Sequence, residues 1–181
     1  MNQLFRIKNP QFGGKMRYLL PFLTVVIIEI LDRLSKSATL TSLAGKPDKI
    51  PLPGILGLTY VENTGMAFGM FDKAPWVLVT LRILGMILIL WFILFSDLQH
   101  WLGFLSLSMV LGGGIGNIID FFAYGYVVDM IEVLFVRFAV FNVADCFITV
   151  GAVLLGVYLL FIHHFPDEKK KDENGTPETD A

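Results

Sequence analysis

From Ala74 to Phe95 the chain carries a single charged residue, Arg82, among Leu, Ile, Val and aromatic side chains. A helix needs roughly 20 apolar residues to cross about 30 Å of hydrocarbon. In lipid, only a helix or a closed barrel satisfies its own backbone hydrogen bonds. The stretch therefore reads as a membrane-spanning helix, and it sets the environment for every other residue. Composition agrees: hydrophobic residues make up 55% of the 181-residue chain and charged ones only 17%, against about 25% charge in ordinary soluble domains. No basic, aromatic-interleaved stretch points to nucleic acid. The single Cys146 excludes an internal disulfide and a multi-cysteine metal site.

Other apolar runs set the topology. Residues 1–17 hold Arg6, Lys8, Lys15 and Arg17 with no acid, and an apolar run follows from Tyr18 to Leu31. A secretory signal peptide begins in this way, but Asp32, Arg33 and Lys36 stand where a small-residue cleavage site belongs. The expectation is an uncleaved first span over 18–38, with further spans over 74–95, 101–121 and 141–161. Gly112, Gly113, Gly114 and Gly116 let the third span approach its neighbours closely. Between the first two spans, Pro47, Pro51, Pro53, Gly54 and Gly57 break any helix. There GILGLTYV has strand chemistry, so 39–73 is expected to be an ordered flap outside the membrane. Tyr124, Gly125, Glu132 and Arg137 interrupt the pattern over 122–140, which reads as an interfacial segment.

The expected fold is thus an all-α integral membrane protein with four transmembrane helices and a small β-containing flap. Residues 1–165 form the membrane domain, and 166–181 a charged, disordered tail. The basic N-terminal segment and Lys169, Lys170 and Lys171, with no Lys or Arg in 96–100, place both termini in the cytoplasm. The flap, the interfacial segment and the outer helix ends then share the extracytoplasmic face.

That topology gathers Asp32, Lys36, Asn63, Asn117, Asp120, Asp129, Asn142 and Asp145 at one depth. Charges in a membrane are expensive and mark functional sites. Two carboxylates brought close share a proton. The ionised one can activate water while the protonated one polarises a peptide carbonyl. Asp129 and Asp145 fit such a pair, with no metal required; alternatively, each is an interfacial acid, solvated or capping a helix end. Asn142, Asp145 and Thr149 are spaced for one face of the fourth helix, and Asn117 and Asp120 for one face of the third. The amides either hold the carboxylates or pack helices together. Asp32 and Lys36 form an i,i+4 pair, and Glu29 and Arg33 read as structural charges at the same helix end. Cys–His chemistry fails, because Cys146 falls at the outer face and His100, His163 and His164 at the inner one. A proton-conducting or transporting bundle is the competing function, but the acids leave no charged path toward the inner side. A structural membrane subunit accounts for the spans and not for the clustered acids.

Five motifs in order carry a resemblance: Asp32-Arg33-Leu34-Ser35-Lys36, Asn63-Thr64-Gly65-Met66-Ala67-Phe68, Gly113-Gly114-Ile115-Gly116-Asn117-Ile118-Ile119-Asp120, Val127-Val128-Asp129-Met130-Ile131 and Phe141-Asn142-Val143-Ala144-Asp145. Over roughly 20–155 the chain resembles the lipoprotein signal peptidase (signal peptidase II) family. The resemblance implies a monomeric aspartyl endopeptidase of the bacterial cytoplasmic (inner) membrane, without cofactor or metal. Its substrates are diacylglyceryl-modified prolipoproteins, met within membrane lipid and cleaved just before the lipidated cysteine, and globomycin-type inhibitors occupy the same site. On that resemblance Asp129 and Asp145 are catalytic, and Asp32, Lys36, Asn63, Gly65, Asn117, Asp120 and Asn142 bind substrate or support the site. Three positions depart from the family: Phe121 where Arg is usual, Arg33 where Gln is usual, and Cys146 where Ser is common.

Overall fold

The computed structural model describes residues 14–64, 75–96, 98 and 100–162. Among the described residues four long helices and three strands follow one another: α1 (Met16–Ser42), β1 (Lys49–Leu52), β2 (Leu56–Asn63), α2 (Pro75–Phe95), α3 (Trp101–Tyr124), β3 (Val127–Val133) and α4 (Val143–Val157). A π-helical turn, Tyr158–Ile162, prolongs α4. Gly65 and the 166–181 tail lie outside the described residues.

Polarity is inverted relative to a soluble bundle. Phe22, Leu23, Ile27, Ile30 and Leu34 of α1 are exposed, while Asp32, Lys36 and Thr39 on its opposite stripe are buried. Asn117 and Asp120 of α3 are buried as well, and Trp91, Phe95, Val153 and Leu160 of the other helices face outward. Such a surface suits lipid. Trp76–Phe95, Trp101–Tyr124 and Val143–Ile162 are long and apolar enough to cross a membrane.

Glycines set how closely the helices meet around the central α3. A Cβ at Gly112 would press on Ile28 of α1 at 3.2 Å, and one at Gly113 would run into the Ala144 carbonyl of α4. One at Gly151 would meet the Ser106 carbonyl of α3 at 2.8 Å. α2 packs on the same helix, with Trp76 edge-on to Phe121 at 5.1 Å and Met86 against Gly114. Toward the far end from the sheet, Ile93, Phe104, Leu107 and Leu111 form an apolar core.

The three strands form one antiparallel sheet in the order β1-β2-β3. The flap therefore holds a hairpin where one short strand was expected, and the 122–140 segment is not merely interfacial. It opens as the last turn of α3 and then becomes the strand β3. Gly125 makes the change possible: at φ 83° it takes the left-handed conformation that ends α3, its N–H bonding the Phe121 carbonyl at 2.9 Å. Phe141 then bridges to Ile131, so the chain enters α4 alongside β3.

Candidate active site

Each polar residue reaches the sheet end of the bundle by its own local rule. In the β2–β3 ladder Val61 pairs with Asp129 and Asn63 with Val127, which puts Asn63 and Asp129 diagonally on one face of the sheet. The Asn63 amide donates to Asp129 Oδ2 at 2.8 Å. Because Phe141 is bridged to β3, Asn142 arrives beside the same carboxylate and donates to its Oδ1 at 2.6 Å.

Asn142 and Asp145 do not share a helix face. Asn142 is extended (φ −126°, ψ 179°) and is the N-cap of α4. Its side-chain oxygen accepts from the Asp145 N–H at 3.0 Å, and Asp145 Oδ2 accepts from the Asn142 N–H at 3.2 Å. This reciprocal capping box fixes both side chains at the helix N-terminus, where a negative charge is favourable. Thr149, expected to extend the face, is exposed.

Asn117 closes the arrangement from α3. Its amide nitrogen donates to Asp145 Oδ1 at 2.8 Å, and its oxygen accepts from Asn142 at 3.0 Å and from Lys36 Nζ at 3.2 Å. Asp129 and Asp145 are thus joined through two asparagines, and every donor of the Asn142 amide is used. Asp129 is 1% exposed, whereas Asp145 is only partly covered. β3 lies outside the membrane-spanning segments. There burial pushes the Asp129 carboxyl up from 3.8 to about 6, held back by the Asn63 amide, raised again by the Asp145 charge, and lowered by Asn142 and Lys36.

A charged layer lies behind these residues. Lys36 Nζ is 2.8 Å from Asp32 Oδ2 and 2.7 Å from Asp120 Oδ2. Arg33 reaches Asp32 at 2.8 Å and Asp120 at 2.6 Å, and donates to the Gly116 carbonyl at 2.7 Å. Asp120 also accepts the Val128 N–H at 3.2 Å, tying the end of α3 to β3 next to Asp129. Asp32 and Asp120 pair with Arg33 and Lys36 here, and Glu29 of α1 lies beside them. Phe121 turns from this layer to pack on Trp76, Arg137 is exposed in the loop after β3, and Cys146 is half-buried with a free thiol.

Arg82 of α2 is the residue that sequence reasoning treated only as an interruption of a span. Its charge acts on both Asp145 and Asp129. A lone arginine in an apolar run shows its cost but not its partners. No three His, Cys, Asp or Glu side chains among the described residues converge to hold a metal ion. The arrangement offers two carboxyls in unlike surroundings, Asp129 buried and pushed up to about 6, Asp145 partly exposed at a helix N-terminus.

The family model described as signal peptidase (SPase) II matches residues 24–161. A lipoprotein signal peptidase of Streptococcus agalactiae serotype V is 35% identical over 145 residues, 79% of this chain and 92% of its own. One from Streptococcus pyogenes serotype M5 is 39% identical over 139 residues, covering 76% and 90%. A bacterial membrane enzyme determined by the in meso method at 1.9 Å superposes with TM-score 0.73 at 25% identity, over 80% of this chain and 95% of that one.

Proposed function

The chain belongs to the signal peptidase II family, and on that premise we propose that it is a membrane aspartyl endopeptidase using Asp129 and Asp145. Membership makes it a peptidase of a bacterial membrane. It removes the signal peptide of diacylglyceryl-modified prolipoproteins, cutting just before the lipidated cysteine. All four helices span the cytoplasmic membrane, α1 included, because its charged stripe is turned inward and its exposed side is apolar. Residues 1–165 form the peptidase domain, with both termini cytoplasmic and the sheet on the extracytoplasmic face. The protein works as a monomer, and globomycin-type inhibitors compete for the site. Asp32, Lys36, Asn63, Gly65, Asn117, Asp120 and Asn142 support the pair or meet substrate.

The observation that carries this reading is the bridge from Asp129 through Asn142 and Asn117 to Asp145. Asp145, at the N-terminus of α4, is the ionised member and takes a proton from the attacking water. Asp129 keeps its proton and donates it to the scissile carbonyl oxygen as the water oxygen bonds to carbon. The tetrahedral intermediate collapses when Asp145 passes its acquired proton to the leaving nitrogen and Asp129 takes one back from a hydroxyl of the intermediate, which breaks the C–N bond, frees the carboxylic acid and restores the pair. Asn63 and Asn142 fix the Asp129 carboxyl throughout, and Asn117 fixes that of Asp145, so little reorganisation is needed during reaction.

The test is product identity. The purified protein is incubated with a diacylated prolipoprotein and with its unlipidated form, and the fragments are weighed by mass spectrometry. Release of a peptide ending one residue before the lipidated cysteine, from the lipidated form alone, is expected. Absence of cleavage, or cutting elsewhere, contradicts the reading.

A further inference from the structure

Arg82 is the sole charged residue of α2 and lies on the side that packs against α3. Leu78 and Val79 are buried on that side, Arg82 is half-buried, and Met86, one turn on, abuts Gly114. The two helices run antiparallel, since Trp76 meets Phe121 and Met86 meets Gly114. Arg82 therefore lies level with the α3 turn between Gly114 and Phe121, the turn that carries Asn117. The other cations of the site are committed: Arg33 and Lys36 are both bound by Asp32 and Asp120. Arg82 makes no hydrogen bond or ion pair among the described residues, although its charge bears on both Asp145 and Asp129. An uncommitted guanidinium at membrane depth is costly, and its planar fork of donors suits a carbonyl or carboxylate oxygen.

We propose that Arg82 is a substrate-contacting residue, whose guanidinium donates to a carbonyl oxygen of the lipopeptide bound beside the Asp129–Asp145 pair. This rests on the peptidase reading above. Asp129 is faced by Asn63 from β2, by Asn142 and Asp145 from the start of α4 and by Lys36 from α1, while Arg82 lies on the α3-facing side of α2, within electrostatic reach of both carboxyls. Among the described residues, Arg82 is the cation near the pair with no hydrogen bond or ion pair, so its donors are open to a ligand. Two carbonyl sources fit the chemistry, the peptide backbone next to the scissile bond and the fatty-acid esters of the lipidated cysteine.

The experiment compares the parent with Arg82→Gln and Arg82→Lys on a diacylated substrate and on its dialkyl-ether analogue, which lacks the ester carbonyls. With Arg82→Gln, KM rises roughly tenfold, the loss expected for a hydrogen bond to a charged donor. The alkaline limb of the pH profile also moves up, because a positive charge beside Asp129 is gone. Arg82→Lys keeps the limb in place, retains the ability to reach the membrane surface, and still raises KM by losing the fork. A KM penalty that persists on the ether analogue assigns the backbone carbonyl; one that disappears assigns the ester. If both variants keep the parent's KM and pH profile, or lose only thermal stability, the proposal is overturned. Should Arg82→Gln not fold, the KM of Arg82→Lys decides alone. Failure of the parent to cleave would instead sink the peptidase reading.

Discussion

Asn142 holds Asp129 and caps α4 with the two ends of one amide: its nitrogen is 2.6 Å from Asp129 Oδ1, while its oxygen accepts the Asp145 N–H at 3.0 Å. Structure and chemistry meet in a single side chain, and substitution can separate them. Serine caps helices as well as asparagine does but offers no amide to Asp129. Asn142→Ser is expected to keep thermal stability within about 1–2 kcal/mol of the parent. Its turnover should fall on the order of 10- to 100-fold, through loss of a hydrogen bond to a carboxyl. Asn142→Ala should lose both. Melting in detergent and kcat on one substrate separate the cases.

Asp129 sets the pH dependence. Its carboxyl is raised to about 6 in the fold from 3.8, so folding favours the protonated form. Its contribution to stability is present below pH 3.8 and is lost as pH rises through about 6. Asp129→Asn should therefore be more stable than the parent at neutral pH, though inactive, a trade expected of a site residue. As the proton-bearing member, Asp129 also gives kcat/KM an alkaline limb near 6. Asn63→Leu removes a donor that favours the charged form, so the limb should move up; a downward move would contradict the assignment.

Lys36 is 2% exposed and lies between Asp32 and Asp120. Removing it leaves buried carboxylates with Arg33 as their remaining partner. Lys36→Met is expected to cost about 3–5 kcal/mol, seen as a large fall in melting temperature. Adding Asp32→Asn should recover part of the loss, which a double-mutant cycle measures directly.

Much of this fold was legible in the chain because lipid imposes long apolar runs. The span from Ala74 to Phe95 needed no structural knowledge, and the buried acids stood out by cost alone. The strand β3 was not legible. VVDMIEV is too short and too apolar to separate strand from interfacial helix by periodicity, and its partner Asn63 comes from a segment far away in sequence. The spacing of Asn142 and Asp145 misled in a different way. Three residues apart fits a helix face, yet it is also the spacing of a capping box, and only the extended backbone of Asn142 decides. Phe121 shows the same limit, since its ring belongs to the packing of α2 on α3 through Trp76.

The glycines of α3 make graded predictions. An added methyl at Gly113 meets the Ala144 backbone, which cannot move aside, and one at Gly116 comes within 2.6 Å of Asp32 Oδ2. One at Gly114 meets only the flexible end of Met86. Gly113→Ala should therefore destabilise by about 1–3 kcal/mol, and Gly114→Ala by clearly less. Gly116→Ala should lower activity as well, by disturbing the Asp32–Arg33–Lys36 layer. Thermal melting and turnover of the three variants test the order.

The pairing of Asp129 with Asp145 is tested most directly by cleavage of a diacylated prolipoprotein with Asp129→Asn and Asp145→Asn assayed separately beside the parent. The paired mechanism requires both carboxyls, so the parent should release the signal peptide and each variant should fall by several orders of magnitude while remaining folded. Parent-level activity in either variant would contradict the mechanism by removing that carboxyl from it.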